Sequence, residues 1–284
     1  MAMIDLPTED EVLTNFKNWA KHNPLIRAAI LTSSRVFPEA KVDFLSDYDI
    51  ELYVSDMASF EQSDDWLQVF GPIMVRWPRE PQSTLEPGWI TRLVLFKNKV
   101  RMDFQVTAQK TIEPKRYDNG YRVLIDKDQI TEDLASPTFT QYLVQKPTAE
   151  EFKNLVHDFW WDAIYVAKCL YRDELPFAKF MLDDTLRYNF LHKVLEWYIG
   201  FQNDWAVNVG VQGKKFKNFL DRQLWQKYEK TFTGAVIEEN WQAFFNLLGL
   251  FSKISQNLST NLGYDYPAEL EQEVTQYCRE IYES

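Results

Sequence analysis

The apolar pattern of this chain changes period once, and that change limits what it can fold into. Short runs rich in Ile, Leu, Val and Tyr recur near 26–33, 47–54, 72–77, 89–97 and 99–106, at lengths and spacings that predict strands. Ahead of them, Glu9 to Asn23 carries Val12, Phe16 and Trp19 at helical spacing, and Pro24 closes it. Beyond Pro137 and Pro147 the period becomes helical. Thr148-Ala149-Glu150-Glu151 is a capping-box sequence, and Phe152, Leu155, Val156, Phe159, Ala163, Val166, Ala167 and Leu170 follow at three- and four-residue steps. Two later stripes, Trp241 to Leu258 and Leu270 to Ile281, keep that spacing. The expected fold class is α+β: an N-terminal sheet domain over residues 1–145 and a C-terminal helical bundle over 146–284.

Within the strand-forming part, charge appears where strands disfavour it. Asp47 and Asp49 stand two apart in Ser46-Asp47-Tyr48-Asp49-Ile50, and Asp103 lies in Val100-Arg101-Met102-Asp103-Phe104. Residues two apart on a strand share a face, so Asp47 and Asp49 aim their carboxylates the same way. Lys97-Asn98-Lys99 divides Thr91 to Val106 into a hairpin, and all three aspartates read as part of one antiparallel sheet. Each alone would pass as an exposed or salt-bridged residue. Together, among apolar neighbours at strand period, they point to a divalent cation held by hard oxygen ligands, magnesium rather than zinc.

Upstream, Ala28-Ala29-Ile30-Leu31-Thr32 ends in Ser33-Ser34-Arg35. An apolar strand that stops in small hydroxyl residues and an arginine can offer N–H groups, hydroxyls and a guanidinium to a phosphate, although a polar turn has the same composition.

Composition narrows the classes of function. With 45% hydrophobic and 15% aromatic residues in 284, the chain can bury two cores. Its net charge of −11, spread over both halves, argues against nucleic acid, whose phosphates call for clustered Lys and Arg, and suits a cationic small molecule. Two cysteines and three histidines, far apart, leave no zinc motif. No apolar run reaches membrane-spanning length and the N-terminus lacks a signal-like segment, so a soluble, cytoplasmic monomer or homodimer is expected.

The chain resembles the aminoglycoside 6-adenylyltransferases, also called streptomycin adenylyltransferases, which have a nucleotidyltransferase fold of the polymerase beta type. Three stretches carry the likeness. They are Ser33-Ser34-Arg35 with Asp47-Tyr48-Asp49-Ile50; Leu124-Ile125-Asp126-Lys127-Asp128; and Lys146-Pro147-Thr148-Ala149-Glu150-Glu151-Phe152 running on to Phe159-Trp160-Trp161, Tyr165-Val166-Ala167-Lys168 and Arg172-Asp173-Glu174-Leu175. The resemblance implies a mixed sheet with flanking helices, and a Mg²⁺-dependent transfer of AMP from ATP to a hydroxyl of a cationic aminoglycoside, the 6-hydroxyl of streptomycin. It further implies that Asp47, Asp49 and Asp103 hold metal and carry the catalysis, and that Ser33, Ser34, Arg35, Lys168 and the Gly213-Lys214 element contact nucleotide phosphates.

Trp161, Tyr165, Lys168 and Arg172 share one helical face, where aromatic rings could equally carry Lys and Arg stems at a surface. Gly210 and Gly213 ahead of Lys214 lack Walker-loop spacing. Ser33 replaces the family's usual glycine, a change that bears on how closely phosphate can approach. Two other readings stay open: transfer to a different small-molecule or protein acceptor, and a non-catalytic relative on the same fold.

Overall fold

The computed structural model describes residues 6–79 and 86–284. They form two compact units, divided between Gln141 and Tyr142.

In the first unit, helix α1 (Glu9–His22) starts at a reciprocal capping box: the Thr8 hydroxyl accepts from the Glu11 N–H while the Glu11 carboxylate accepts from Thr8. Strands β1 (Ile26–Thr32) and β2 (Tyr48–Val54) follow, then the single turn α2 (Ala58–Glu61), then β3 (Ile73–Trp77), β4 (Ile90–Phe96), β5 (Arg101–Thr107) and β6 (Arg122–Asp126). They build one six-stranded sheet in the order β3-β4-β5-β2-β1-β6. Asn98 forms the β4–β5 hairpin tip as expected, with Phe96 N–H bonded to Val100 O at 2.9 Å.

The aspartates do not lie in an antiparallel arrangement. β2 and β5 run parallel, while every other neighbouring pair is antiparallel, so the sheet is mixed. The reason is connectivity: the chain leaves β2 and forms the β3–β4 pair before β5 comes back beside β2, and such a crossover permits the parallel pairing that a tight turn forbids. β6 is an edge strand missed by its apolar pattern, which is short and half exposed.

Strand alternation sorts the two faces. Ile50, Leu52, Met102, Phe104 and Val106 point to the α1 side, where Phe16, Phe70 and Phe104 pack their rings together. The intervening residues of the same strands, Asp49, Glu51 and Tyr53 on β2 and Asp103 and Gln105 on β5, therefore occupy the opposite face.

The second unit is helical. Its α3 (Ala149–Tyr171) opens with the expected box, Thr148 Oγ1 receiving Glu151 N–H at 3.1 Å. Helix α4 (Leu175–Lys179) passes through a wide-turned π segment, Phe180–Leu191, into α5 (His192–Gln202). Next come α6 (Phe216–Phe219), α7 (Arg222–Glu229), α8 (Ile237–Leu262) and α9 (Ala268–Glu283). The predicted apolar stripes of α3 and α8 meet in one core, where Phe159 stacks on Phe251. Among the described residues no helix is long and apolar enough to cross a membrane.

Candidate active site

The parallel register sets Asp49 directly beside Asp103, and Asp47 immediately precedes β2. Three carboxylates thus gather on one face at the end of two central strands. Burial is the largest influence on Asp49, followed by the charges of Asp103 and Asp47; together they push its pKa up to about 6. The Ser33 hydroxyl opposes this by donating a hydrogen bond to the Asp49 carboxylate.

Arg101 enters this cluster. It stands two residues before Asp103 on β5 and so shares its face. Its Nε and Nη2 bond Asp103 Oδ1 and Oδ2 at 3.0 and 2.8 Å, and its Nη1 lies 3.4 Å from Asp47 Oδ2. Among the described residues no group of three or more His, Cys, Asp or Glu side chains is arranged to hold a metal ion, and Arg101 takes up oxygens of Asp103 and Asp47. The donor chemistry nevertheless suits a hard divalent cation, because the candidate ligands are carboxylate oxygens and Asp49 is held in its charged form only against burial and two like charges.

The Ser33-Ser34-Arg35 turn caps β1 as a single 3-10 turn. Ser33 has φ +61°, the left-handed region where glycine is unstrained, which gives the departure from glycine a physical meaning. The backbone here bends as a glycine turn does, and the added side chain is spent on Asp49. Ser34 lies in the same turn, half-buried.

Arg35, expected as a phosphate contact, is largely engaged within the protein. Its side chain is 5% exposed and each guanidinium nitrogen donates once: Nε to Asp47 O at 2.9 Å, Nη2 to Ser46 O at 2.6 Å and Nη1 to Glu9 Oε2 at 2.7 Å. The group also lies 3.6 Å from the centre of the Tyr48 ring. Arg35 fixes the approach to β2 and thereby Asp47, with three of its five N–H donors used in these bonds, while it also lines the cleft beside Asp47.

Below the aspartates on the same face, Glu51 continues the strand period. Arg116 grips it through Nε and Nη2 at 3.0 and 3.1 Å, Tyr117 OH donates at 2.5 Å, and the Arg116 guanidinium lies over Trp89 at 4.2 Å. Neither Glu51 nor Arg101 stood out in the sequence, though both carry the signal that marked the aspartates: a charged residue two positions from another on a strand. A cleft of about 980 Å³ opens beside Asp47 and Arg101, walled by Val42, Phe44, Leu45 and Tyr48.

The remaining candidates lie in the helical unit. Lys168 is half-buried on α3 with its Nζ 5.9 Å from the centre of the Tyr165 ring, and Trp161 and Tyr165 are exposed on the same helix. Lys214 is exposed after Gly213, whose φ of +70° and contact with the Phe216 ring leave no room for a Cβ. In the same unit Asp183 is paired with Lys179 and Arg187, which assigns it to the helical framework.

A statistical model of the streptomycin adenylyltransferase family matches residues 6–281. The chain belongs to that family. Consistent with this, it is 30% identical to an aminoglycoside 6-adenylyltransferase of Bacillus subtilis (strain 168), over 97% of this chain and 98% of that protein. It is 30% identical to the Campylobacter jejuni protein of the same name, over 92% and 91%. The crystal structure of an aminoglycoside 6-adenyltransferase from Bacillus subtilis aligns with a TM-score of 0.50 at 28% identity, covering 98% of this chain and all of that one. Among streptomycin adenylyltransferase family members, then, this chain carries the α+β fold of a mixed sheet followed by helices.

Proposed function

We propose that this protein transfers AMP from ATP to a hydroxyl of an aminoglycoside, with the 6-hydroxyl of streptomycin as acceptor, and that the modification confers resistance to the antibiotic. The supporting observation is the pairing of Asp49 with Asp103 across parallel strands, with Asp47 alongside, in a chain whose full-length relatives bear that enzyme name.

Asp47 and Asp49 would hold Mg²⁺, which when bound supplies positive charge against the triphosphate and the departing pyrophosphate. Asp103 accepts the proton of the attacking hydroxyl once its carboxylate is released from Arg101. A neutral alcohol is a weak nucleophile, so a base at this position is needed for attack on the α-phosphorus. The bond that forms joins the acceptor oxygen to that phosphorus, and the bond that breaks releases pyrophosphate. Ser34 and the backbone of the Ser33 turn bind phosphate oxygens. In this division of labour residues 1–141 form the nucleotidyltransferase domain and residues 142–284 the domain that recognises the acceptor. The acidic balance of the chain, −11 overall, draws a polycationic substrate toward it.

Calorimetric titration of ATP in the presence and absence of Mg²⁺ tests the nucleotide half of the reading. Wild type binds ATP in a Mg²⁺-dependent manner and Asp47→Asn or Asp49→Asn does so much more weakly. Absence of any Mg²⁺-dependent binding by wild type would indicate a non-catalytic relative.

A further inference from the structure

We infer that Arg101 is the resident counter-cation of the carboxylate site: it bridges Asp103 and Asp47 while the site lacks nucleotide, and leaves Asp103 for the phosphates when nucleotide and cation enter. This inference rests on the reading of Asp47 and Asp49 as cation ligands.

The geometry carries it. All three guanidinium nitrogens of Arg101 face carboxylate oxygens, two on Asp103 in a bidentate fork and one on Asp47. A fork that takes both oxygens of Asp103 leaves that carboxylate poorly placed to accept a proton from an acceptor hydroxyl. It also sets one positive charge against Asp47, where a cation held by Asp47 and Asp49 would put two. The two states exclude each other.

Displacement is easy in energetic terms. The Arg101 side chain is 45% exposed, whereas that of Asp103 is 13% exposed, so the guanidinium can swing into water while the carboxylate stays in place. With its guanidinium half in water this pair is partly screened, and a divalent cation arriving with a triphosphate brings the larger charge against the same carboxylates. Arg101 also lines the open cleft beside Asp47, so its side chain moves into open space, and a planar fork suits phosphate oxygens as well as carboxylate. Arg35 differs in that its side chain is 5% exposed and each of its nitrogens donates to the protein, two of them to backbone carbonyls.

The test is Mn²⁺ binding followed by electron paramagnetic resonance, with wild type, Arg101→Gln, Arg101→Lys and Asp49→Asn, each with and without α,β-methylene-ATP. Without nucleotide, Arg101→Gln should bind Mn²⁺ about tenfold more tightly than wild type, the effect of one removed competing charge worth about 1.4 kcal/mol. Arg101→Lys should fall between the two, since it keeps the charge and loses the fork. With the nucleotide analogue the advantage of Arg101→Gln should vanish or reverse, because the arginine then serves the phosphates. Equal nucleotide-free affinities in wild type and Arg101→Gln, with normal Mn²⁺ binding by wild type once nucleotide is added, would overturn the role of Arg101 and leave the cation site standing. No Mn²⁺ binding by any variant under either condition would remove the cation site, and this inference with it.

Discussion

Asp49→Asn should stabilise the metal-free protein by about 3 kcal/mol at pH 8 and by only about 0.5 kcal/mol at pH 4. Burial and the neighbouring charges of Asp103 and Asp47 move its pKa from the ordinary 3.8 up to about 6. At about 1.36 kcal/mol per unit, a displacement of roughly two units amounts to about 3 kcal/mol. The folded state holds the Asp49 proton more tightly than the unfolded chain. Stability from this residue is therefore complete below pH 3.8 and is lost as pH rises through about 6. Asparagine has no charge to desolvate and keeps an oxygen that can accept from Ser33. Urea unfolding in EDTA from pH 4 to pH 8 measures the effect. A variant no more stable than wild type at pH 8, or a difference that does not grow between pH 4 and pH 8, would refute the argument that Asp49 is a strained anion waiting for a counter-charge.

Three further outcomes follow from the same geometry. Arg35→Met should cost about 3 kcal/mol, because two backbone carbonyls and Glu9 lose their donor, and turnover should fall with stability; a large loss of ATP affinity at unchanged melting temperature would instead restore Arg35 as a phosphate contact. Ser33→Gly should raise stability by roughly 0.5–1 kcal/mol by relieving the left-handed backbone, while Ser33→Ala should lower it, with denaturant midpoints deciding; a less stable glycine variant would contradict the strain argument. Asp103→Asn should retain ATP binding and lose about a hundredfold or more in turnover, measured by pyrophosphate release, whereas turnover equal to wild type would take Asp103 out of the mechanism.

Much of this architecture was legible in local chemistry. The Thr148-to-Glu151 box and the stripe from Phe152 to Leu170 specify α3 because capping and helical period act within a few residues, and the structure starts the helix at Ala149. The β4–β5 hairpin was equally local. What could not be read was pairing across distance. Period 2 assigns Asp49 and Asp103 to faces of strands but carries no direction, so the parallel register of β2 and β5 waited for the crossover to be seen. For the same reason the internal partners of Arg35 were not legible: Glu9, Ser46 and Asp47 are 11 to 26 residues away. Arg101 was nearer to legible, since its two-residue spacing from Asp103 puts both on one face, whereas its contact with Asp47 depends on the pairing of β5 with β2.

The most direct test of the whole account is mass spectrometry of streptomycin incubated with the purified protein, ATP and Mg²⁺. The account predicts a product heavier by one AMP unit, with release of pyrophosphate and loss of both signals in Asp49→Asn. Unmodified streptomycin, from protein that binds ATP in a Mg²⁺-dependent way, would contradict the proposed acceptor.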